Sequence, residues 1–404
     1  MHIAYIVSQY PARSETFVAR EMNQLARQGR RITLARLRWS DTQDGLRVPE
    51  ADVLPLQWSP IRWCKGLGWA LVNRPRALVQ MARDIGTAPV LSSLWQRLLI
   101  LALVSLALAR TLEGRSVDHL RAHLLDSEAI AAYWIGSLLD RPFSVTLHTR
   151  KTRFPSPLLR RVARSTAFIA AISHETRRLA ATMSGREARI CTIRNGVSVS
   201  PTLPRSLPRT PPTWRLLAVG RLVEKKGFDV LVRACRLLRA WGRPVQCTLI
   251  GAGPQREALA RQIRRNALQD RMTLRGAQPN AEVYRALRRH DVLVAPSRPA
   301  SNGDRDGIPT VLIEALSQGV PVVASAFAAI PELVQDGETG RLVTPGAPVT
   351  LARTLHRLFD APQHAARMGR NGREQIRRCF SVEREGRRLD TWIQHTSARS
   401  TPSD

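Results

Sequence analysis

DGIPTVLIEALSQGVPVVAS, residues 306–325, decides the fold of this chain. Two carboxylates eight positions apart, Asp306 and Glu314, bracket a Gly-Ile-Pro turn that opens a helix. Pro309 suits a first helical turn, because its fixed φ and missing N–H cost nothing there. The amides that then point outward are those of Thr310, Val311 and Leu312. Such amides bind anions, whereas Glu314 is placed to accept hydrogen bonds from sugar hydroxyls. The segment therefore predicts a ligand that carries both diphosphate and sugar.

Short β-rich runs alternate with helical segments along the chain, which predicts parallel sheets covered by helices. The length of 404 residues fits two units of about 150 to 200 residues each. The predicted organisation is a Rossmann-like domain at 1–197, a Pro-rich linker at 198–212, a second Rossmann-like domain at 213–380, and a terminal segment at 381–404. The ligand is expected in the cleft between the domains. The strand candidates are 2–7, 32–37, 143–148, 167–173, 188–193, 215–220, 245–251, 271–276, 291–297, 320–325 and 340–345.

The net charge of +30 favours contact with anionic surfaces, and 58 of the 62 basic residues are arginine. Nucleic acid is the competing partner. The sequence shows no recognition fold and no basic stripe interleaved with stacking aromatics, and aromatic residues make up only 5% of it. We therefore expect no nucleic-acid partner.

Cysteine usage indicates the compartment. The five cysteines are scattered without a C-x-x-C pair, which indicates a reducing cytosol and neither a disulfide framework nor a zinc site. The apolar start is only strand length and lacks the features of a signal peptide. The sequence predicts a cytoplasmic protein.

Residues 54–96 mix four tryptophans with five cations and a single acid, Asp84. Tryptophan with arginine suits a lipid headgroup interface, so peripheral membrane docking is one interpretation. An ordinary helical region whose basic side faces water is the other. The uncharged run that follows, residues 98–109, has twelve residues against the roughly 20 of a spanning helix, and it predicts a buried or interfacial helix.

The 306–325 segment resembles the E-x7-E signature of retaining GT-B glycosyltransferases, specifically glycosyltransferase family 4, the glycosyl transferases group 1 domain. Asp306 stands where the family has its first glutamate, which shortens the reach by one methylene and keeps the charge. GRLVEKKGFDVLVRA, from Gly220, resembles the family's phosphate grip and implies that Arg221 and Lys226 hold the donor's diphosphate. The alternative for these two cations is a solvated basic loop.

Two further segments of the second half are similar to the family. LIGAGPQREAL, from Leu249, resembles its second glycine loop, where we expect Gly251 and Gly253 to serve strand-to-helix packing. The turn at Arg275 and Gly276 occupies the place where family members contact the nucleobase.

The first half resembles the bacterial polysaccharide branch of the family through SQYPARSETFVAREMNQLARQG. Ser14 and Thr16 either cap the following helix or touch the donor or acceptor. RAHLLDSEAIAA resembles the family's H-A-H-F segment, whose histidine, here His123, is more often structural than catalytic.

VTLHTRKTRF places His148 at the family's T-x-H position, near the donor's sugar, with a hydrogen-bonded structural histidine as the alternative. Lys151 replaces a common family aspartate and, with Arg150 and Arg153, suits an anionic acceptor.

These resemblances imply a retaining, metal-independent hexosyltransferase that takes a UDP- or GDP-sugar donor and no cofactor. The implied catalytic residues are His148, Asp306 and Glu314, with Asp306 on the sugar and Glu314 on the ribose. The donor-binding set is Arg221, Lys226, Gly307, Ile308, Pro309, Thr310, Val311, Glu314, Arg275 and Gly276.

No metal is expected, because the sequence holds neither a D-x-D motif nor a cluster of oxygen or histidine ligands. The preferred acceptor is a lipid-linked saccharide of exopolysaccharide or lipopolysaccharide, met at the inner face of the plasma membrane. A helix in 381–404 is implied to cross back to the first domain.

Three other functions compete with glycosyl transfer. Glycosidase chemistry is disfavoured, because its two carboxylates flank the scissile bond, whereas Asp306 and Glu314 are joined by a turn and a helix start. A nucleotide-sugar epimerase and a catalytically silent protein that docks a membrane assembly remain alternatives.

Overall fold

The computed structural model describes residues 1–11, 16–38, 48–148, 154, 156–199, 213–305 and 307–398. The chain forms two compact units: unit 1 comprises Met1–Arg194 and Glu385–Asp404, and unit 2 comprises Asn195–Arg384. Each unit holds one parallel sheet with helices between its strands, which confirms the predicted α/β class with two Rossmann-like sheets. Most of the predicted linker, 200–212, lies outside the described residues.

Unit 1 has a seven-stranded sheet in the order β3-β2-β1-β4-β5-β6-β7. Its strands are β1 (His2–Val7), β2 (Arg31–Arg36), β3 (Asp52–Val53), β4 (His119–His123), β5 (Phe143–Leu147), β6 (Phe168–Ala171) and β7 (Ile190–Thr192). Its helices are α1 (Thr16–Arg27), α2 (Pro60–Asn73), α3 (Pro75–Ile85), α4 (Ser93–Glu113), α5 (Ser127–Leu139), α6 (Ser156–Ser165) and α7 (His174–Ser184).

Strand β1 shows why this sheet is covered on both faces. All six of its residues are buried, as expected for a strand of a parallel sheet. Because successive side chains point to opposite faces, they divide between two apolar cores. Ala4 and Ile6 join the core formed with α3, α4 and α5. Ile3, Tyr5 and Val7 join the other core, which includes α1.

Strand β4, HLRAH, is not among the strands predicted from the sequence. Two histidines and an arginine in five residues give no apolar run, yet all five residues are buried. The strand lies between β1 and β5, with Ile3 opposite His119 and Arg121 opposite Ser144. Its polar side chains form hydrogen bonds with side chains of neighbouring elements. Such bonds replace the bonds to water that buried polar groups lose. The two-residue β3 is also unpredicted.

Unit 2 has a six-stranded sheet in the order β10-β9-β8-β11-β12-β13. Its strands are β8 (Trp214–Val219), β9 (Val245–Ile250), β10 (Met272–Leu274), β11 (Val292–Ala295), β12 (Val322–Ser325) and β13 (Arg341–Val343). Its helices are α8 (Phe228–Ala240), α9 (Arg256–Arg265), α10 (Asn280–Arg289), α11 (Thr310–Ser317), α12 (Pro348–Asp360) and α13 (Pro362–Cys379). Each of these strands overlaps one predicted from the sequence.

The last helix, α14 (Val382–Ala398), begins in unit 2 and belongs to unit 1 from Glu385 onward. Leu389 and Ile393 are fully buried in the core that holds Ile3 and Tyr5. Arg30 and Asp390 form an ion pair at 2.7 Å beside it. The helix therefore completes the core of unit 1.

Candidate functional site

Both sheets have a topological switch point, where the strand order reverses. In unit 2 it lies between β8 and β11, and in unit 1 between β1 and β4. Open α/β sheets bind ligands beyond the carboxyl ends of their strands at such a point. The loops that follow these strands are therefore the places to look for a site in each unit.

The loop after β8 carries both predicted phosphate-binding cations. Arg221 is exposed and Lys226 is half-buried. Lys226 lies over Gly220, since a Cβ built on that glycine would lie 3.2 Å from Lys226 Cε. Gly227 has φ +65°, and a Cβ there would lie 1.9 Å from the carbonyl oxygen of Pro296, directly after β11. Only glycine allows this approach, which holds Lys226 at the switch point of unit 2.

Lys225 has a different environment from its neighbour. Its side chain is 10% exposed, and its Nζ lies 3.2 Å from Asp304 Oδ2 and 3.4 Å from the carbonyl oxygen of Arg305. The amide of Arg298 donates to the Lys225 carbonyl oxygen at 2.9 Å. These bonds tie residues 298–305, which lead towards Gly307, to the loop after β8.

Glu224 makes a second tie between the same two loops. Its Oε2 accepts hydrogen bonds from the amide and the hydroxyl of Ser301, at 3.1 and 2.8 Å. These bonds lower the pKa of the Glu224 carboxyl from its ordinary value. The charged carboxylate of Glu224 therefore stabilises the position of the segment around Ser301, which leads to α11.

The start of α11 differs in one detail from the prediction. Pro309 is the residue before the helix, with φ −60° and extended ψ, and Thr310 is the first helical residue. The amide of Leu312 donates to the Pro309 carbonyl oxygen at 3.0 Å, so it does not point outward for a ligand as predicted. Thr310 and Val311 remain at positions where a helix supplies no acceptor for the amide. Gly307 and Ile308 form the turn that leads into them.

Glu314 lies in the second turn of α11 and is 4% exposed. Its Oε1 lies 3.4 Å from Nδ2 of Asn280, the first residue of α10. The bond joins α11 to the segment that follows Arg275 and Gly276. The sequence carries no signal for this contact, because an asparagine at a helix start indicates only a cap. The other predicted carboxylate, Asp306, lies outside the described residues.

Backbone contacts join the loops after β8, β9 and β10. A Cβ on Gly251 would lie 1.8 Å from the carbonyl oxygen of Gly220, so no other residue fits. The amide of Gly251 donates to the Gly276 carbonyl oxygen at 2.8 Å. The amide of Leu222 donates to Ala252 at 2.8 Å. Backbone contacts thus connect the turn at the exposed Arg275 to the loop that carries Arg221 and Lys226.

His148 belongs to unit 1, where it directly follows β5. Its Nε2 lies 3.2 Å from His123 Nδ1, and its ring is 4.5 Å from that of Phe17, centroid to centroid. Burial, and then the neighbouring His123, hold the pKa of His148 well below its ordinary value. The imidazole is therefore neutral at physiological pH.

A buried polar network stands behind His148. His123 Nε2 lies 3.0 Å from Glu21 Oε1, and Tyr5 donates to the same oxygen at 2.7 Å. Arg121, with no exposed surface, donates to both Glu21 oxygens at 2.7 and 3.1 Å. Burial alone would raise the pKa of Glu21, but Arg121 and His123 hold it well below the ordinary value.

The ionised Glu21 fixes the histidine tautomers of this network. His123 Nε2–H donates to the carboxylate, which leaves His123 Nδ1 to accept from His148 Nε2–H. His148 Nδ1 then carries the lone pair. The sequence carries no signal that His123 shares a network with Glu21 and Arg121, because only the fold brings β4 beside β1.

The structure describes only some of the remaining predicted residues of the first half. Ser14, Arg150, Lys151 and Arg153 lie outside the described residues. Thr16 is buried and begins α1.

The Trp- and Arg-rich region forms α2, α3 and the start of α4. Helix α2 packs closely on α4, since a Cβ on Gly66 would lie 2.8 Å from the backbone of Leu106. The single acid, Asp84, is buried, accepts from Trp134 at 3.0 Å and pairs with Arg161. Its charge is therefore neutralised inside unit 1.

The opposite sides of α2 and α3, here termed the α2–α3 surface, combine large apolar side chains with cations. Val72 is 81% and Ile61 68% exposed. The other exposed members are Leu67, Leu71, Val79, Arg62, Lys65, Arg76 and Arg83. A simple basic face towards water would not expose so many large apolar groups.

Helix α4 is longer than the apolar run that predicted it. Its 21 residues make it long and apolar enough to cross a membrane by length and composition, and half of the apolar window is buried inside unit 1. Ser92 caps its start by accepting from the Trp95 amide at 3.1 Å. Within the residues that the structure describes, no group of three or more His, Cys, Asp or Glu side chains is placed to hold a metal ion.

Comparison with known proteins adds to this geometry. Residues 200–375 match the profile of the family described as glycosyl transferases group 1. The amylovoran biosynthesis glycosyltransferase AmsK of Erwinia amylovora is 40% identical over 144 residues, which are 36% of this chain and 35% of AmsK. WcaL of Salmonella typhimurium, named for colanic acid biosynthesis, is 33% identical over 208 residues, 51% of each chain. The chain thus matches about half or less of the length of these relatives.

Among solved structures, HepE from Anabaena in complex with UDP has a TM-score of 0.69 and 18% identity, covering 98% of this chain and 100% of HepE. This likeness concerns the fold. The family match runs from before β8 into α13 and so includes Arg221, Lys226 and Glu314. Residues 200–375 thus match the glycosyl transferases group 1 family, and the chain has the GT-B fold.

Proposed function

We propose that this protein is a retaining, metal-independent hexosyltransferase of glycosyltransferase family 4. The observation that carries the proposal is the switch point of unit 2. Lys226 and Arg221 follow β8 on one side, and the start of α11 with the buried Glu314 follows β11 on the other. This combination of cations, helix amides and a carboxylate suits a diphosphate joined to sugars.

In the proposed reaction the bond from the anomeric carbon to the diphosphate oxygen breaks. The acceptor oxygen bonds to that carbon on the same face, and its proton passes to the departing phosphate. Negative charge grows on the diphosphate, so Arg221, Lys226 and the α11 amides stabilise the transition state more than the ground state. These groups take the part that a metal ion plays in other transferases.

The other roles concern positioning. Glu314 accepts hydrogen bonds from the ribose hydroxyls, Asp306 holds the sugar, and Arg275 with Gly276 borders the base. The neutral His148 offers its Nδ1 lone pair to a sugar hydroxyl, with its orientation set by His123 and Glu21.

The relatives support a place in polysaccharide assembly. AmsK and WcaL are named for the biosynthesis of amylovoran and colanic acid, and HepE was solved with UDP. We propose a UDP- or GDP-sugar donor and a saccharide acceptor that becomes exopolysaccharide or lipopolysaccharide.

A lipid-linked acceptor is favoured by the α2–α3 surface. Exposed apolar side chains among cations suit an anionic bilayer, with which a chain of net charge +30 associates. The proposed location is the cytoplasm, peripherally on the inner face of the plasma membrane.

The chain's lysines supply a matched test of the donor site. Purified full-length protein is melted with UDP- and GDP-sugars, with and without EDTA. One class of nucleotide sugar should raise the melting temperature regardless of EDTA. Lys226→Met should abolish this shift and leave the unliganded melting temperature unchanged. Lys225→Met should lower the unliganded value, because it breaks the pair with Asp304. The exposed Lys65→Met should change neither.

A donor shift that survives in Lys226→Met would contradict the phosphate role. Turnover is then measured by mass spectrometry of acceptor extracts. Donor binding without transfer to any acceptor would favour the catalytically silent alternative, and a changed sugar on the recovered nucleotide would favour an epimerase.

A further inference from the structure

Unit 1 contains a cavity of about 530 Å³ that none of the predicted site residues lines. It lies beside one side of α4, between the residues that follow β2 and those that precede α2. Its apolar walls include Leu37, Leu56, Trp58, Ile100, Val104 and Phe154. Protein interiors are close-packed with few voids larger than a water molecule, so an apolar cavity of this size is suited to a ligand.

The polar groups of the cavity have one sign of charge. Arg38 and Arg97 are exposed members of its lining, and no acidic side chain is among the described residues that line it. Ser127, the other polar residue of the lining, donates its hydroxyl to Glu128 at 3.2 Å. Trp58 is 48% exposed, and its indole Nε1 donates to the Leu37 carbonyl oxygen at 2.7 Å, which fixes the ring as a wall. The cavity therefore offers apolar walls with cations that suit an anion.

The cavity is also continuous with exposed apolar surface. Ile100 lines it and is 38% exposed, and the neighbouring Leu99 is 36% exposed. Trp58 packs edge to face on Trp63 at the start of α2, with ring centroids 6.2 Å apart. The apolar lining therefore reaches the exposed surface at Ile100.

We propose that this cavity holds the apolar chain of a single-chain lipid phosphate, with Arg38 and Arg97 on the phosphate. The inference rests on the proposed function, because such a lipid would be the carrier of the saccharide acceptor. The cavity then selects the acceptor by its carrier, and the α2–α3 surface supplies the contact with the membrane around it.

The test uses geranylgeranyl phosphate, titrated calorimetrically into the full-length protein, with geranylgeraniol as the probe that lacks the phosphate. Wild type should bind the phosphate more tightly than the alcohol. Arg97→Gln should weaken the phosphate by about tenfold to a hundredfold, as for one lost charge-assisted hydrogen bond, and leave the alcohol unchanged. Ile100→Trp fills the cavity and should abolish binding of both. Leu99→Trp, next to it on α4 and outside the lining, should bind as wild type.

Equal binding by Ile100→Trp and wild type would overturn the inference, as would equal affinity for phosphate and alcohol. A preference for two-chain phosphatidylglycerol vesicles over the single-chain probe would also overturn it. The nucleotide-sugar melting shift is measured on every variant and should be intact. A donor shift without lipid binding would refute the cavity inference alone. Lipid binding without a donor shift would refute the proposed function and, with it, the acceptor role of the cavity.

Discussion

Glu21→Gln tests whether the polar network of unit 1 is held by charge. The substitution keeps the shape of the side chain and removes its charge. It leaves the guanidinium of Arg121, which has no exposed surface, without the carboxylate that now accepts two of its hydrogen bonds. A buried charge without a partner is far more costly than a missing neutral hydrogen bond.

The size of the effect follows from the burial of the two partners. Removing one member of a buried pair costs about 3–5 kcal/mol. Because Glu21 is 14% exposed, we expect the lower end of that range. A loss of about 3 kcal/mol lowers the melting temperature of a unit of this size by roughly 6–12 °C, at about 2–4 °C per kcal/mol.

The assay is urea and thermal unfolding at pH 7, followed by circular dichroism, with a matched control in the same unit. Arg110 and Glu113 form an exposed pair on α4, so Glu113→Gln should cost less than about 0.5 kcal/mol. The double variant Glu21→Gln with Arg121→Met should recover part of the loss, because the unpaired charge is removed. A Glu21→Gln cost no larger than that of Glu113→Gln would refute the reasoning.

The same pair predicts a dependence on pH. Since the folded pKa of Glu21 lies below its unfolded value, its charge stabilises the fold above the ordinary carboxyl pKa of about 4.3. This contribution is lost as the pH falls through the lowered pKa. The difference between wild type and Glu21→Gln should therefore persist at neutral pH and shrink only in acid.

Three further outcomes are expected. Burial, with Arg121 nearby, lowers the pKa of His119 to about 3. The free energy of unfolding should therefore fall by about 1.4 kcal/mol for each pH unit below 6.5, and urea titrations of His119→Gln should lack this slope. Gly251→Ala should prevent unit 2 from folding, because its Cβ would overlap the Gly220 carbonyl. Gly242→Ala, in open space at φ +69°, should lower the free energy of unfolding by only about 1–2 kcal/mol in denaturant melts. Val72→Glu should weaken flotation with phosphatidylglycerol vesicles while the donor-induced melting shift stays, and unchanged flotation would contradict membrane docking through the α2–α3 surface.

Apolar periodicity predicts the sheets well and the polar strand badly. Every strand of unit 2 has a β-branched or apolar run that marks it, and each was found near its predicted position. Strand β4 has no such run. It is stable because His119, Arg121 and His123 form hydrogen bonds with side chains of other elements. The information that makes this strand stable lies in Glu21, Ser144 and Thr146, and only the folded sheet brings them within reach.

The candidate site shows the same division. Local motifs in the sequence suffice to predict a donor site from the two cations after β8 and the helix start after β11. The sequence could not predict the ion pair of Lys225, since that pair depends on Asp304, far along the chain. The Asn280 contact to Glu314 likewise depends on two helices that meet only in the fold.

The completion of unit 1 by α14 has a consequence for synthesis on the ribosome. The first 194 residues emerge without Leu389 and Ile393, which fill their core. Another 190 residues, Asn195–Arg384, must be translated before those side chains exist, which takes roughly 10–40 s at about 5–20 residues per second. Unit 2 is continuous and can fold as it emerges. The nascent amino-terminal half, in which the core around Ile3 and Tyr5 still lacks its α14 side chains, must stay soluble for that interval. The first unit made therefore completes its native core only after α14 has been translated, and a chain cut short before α14 leaves that core incomplete.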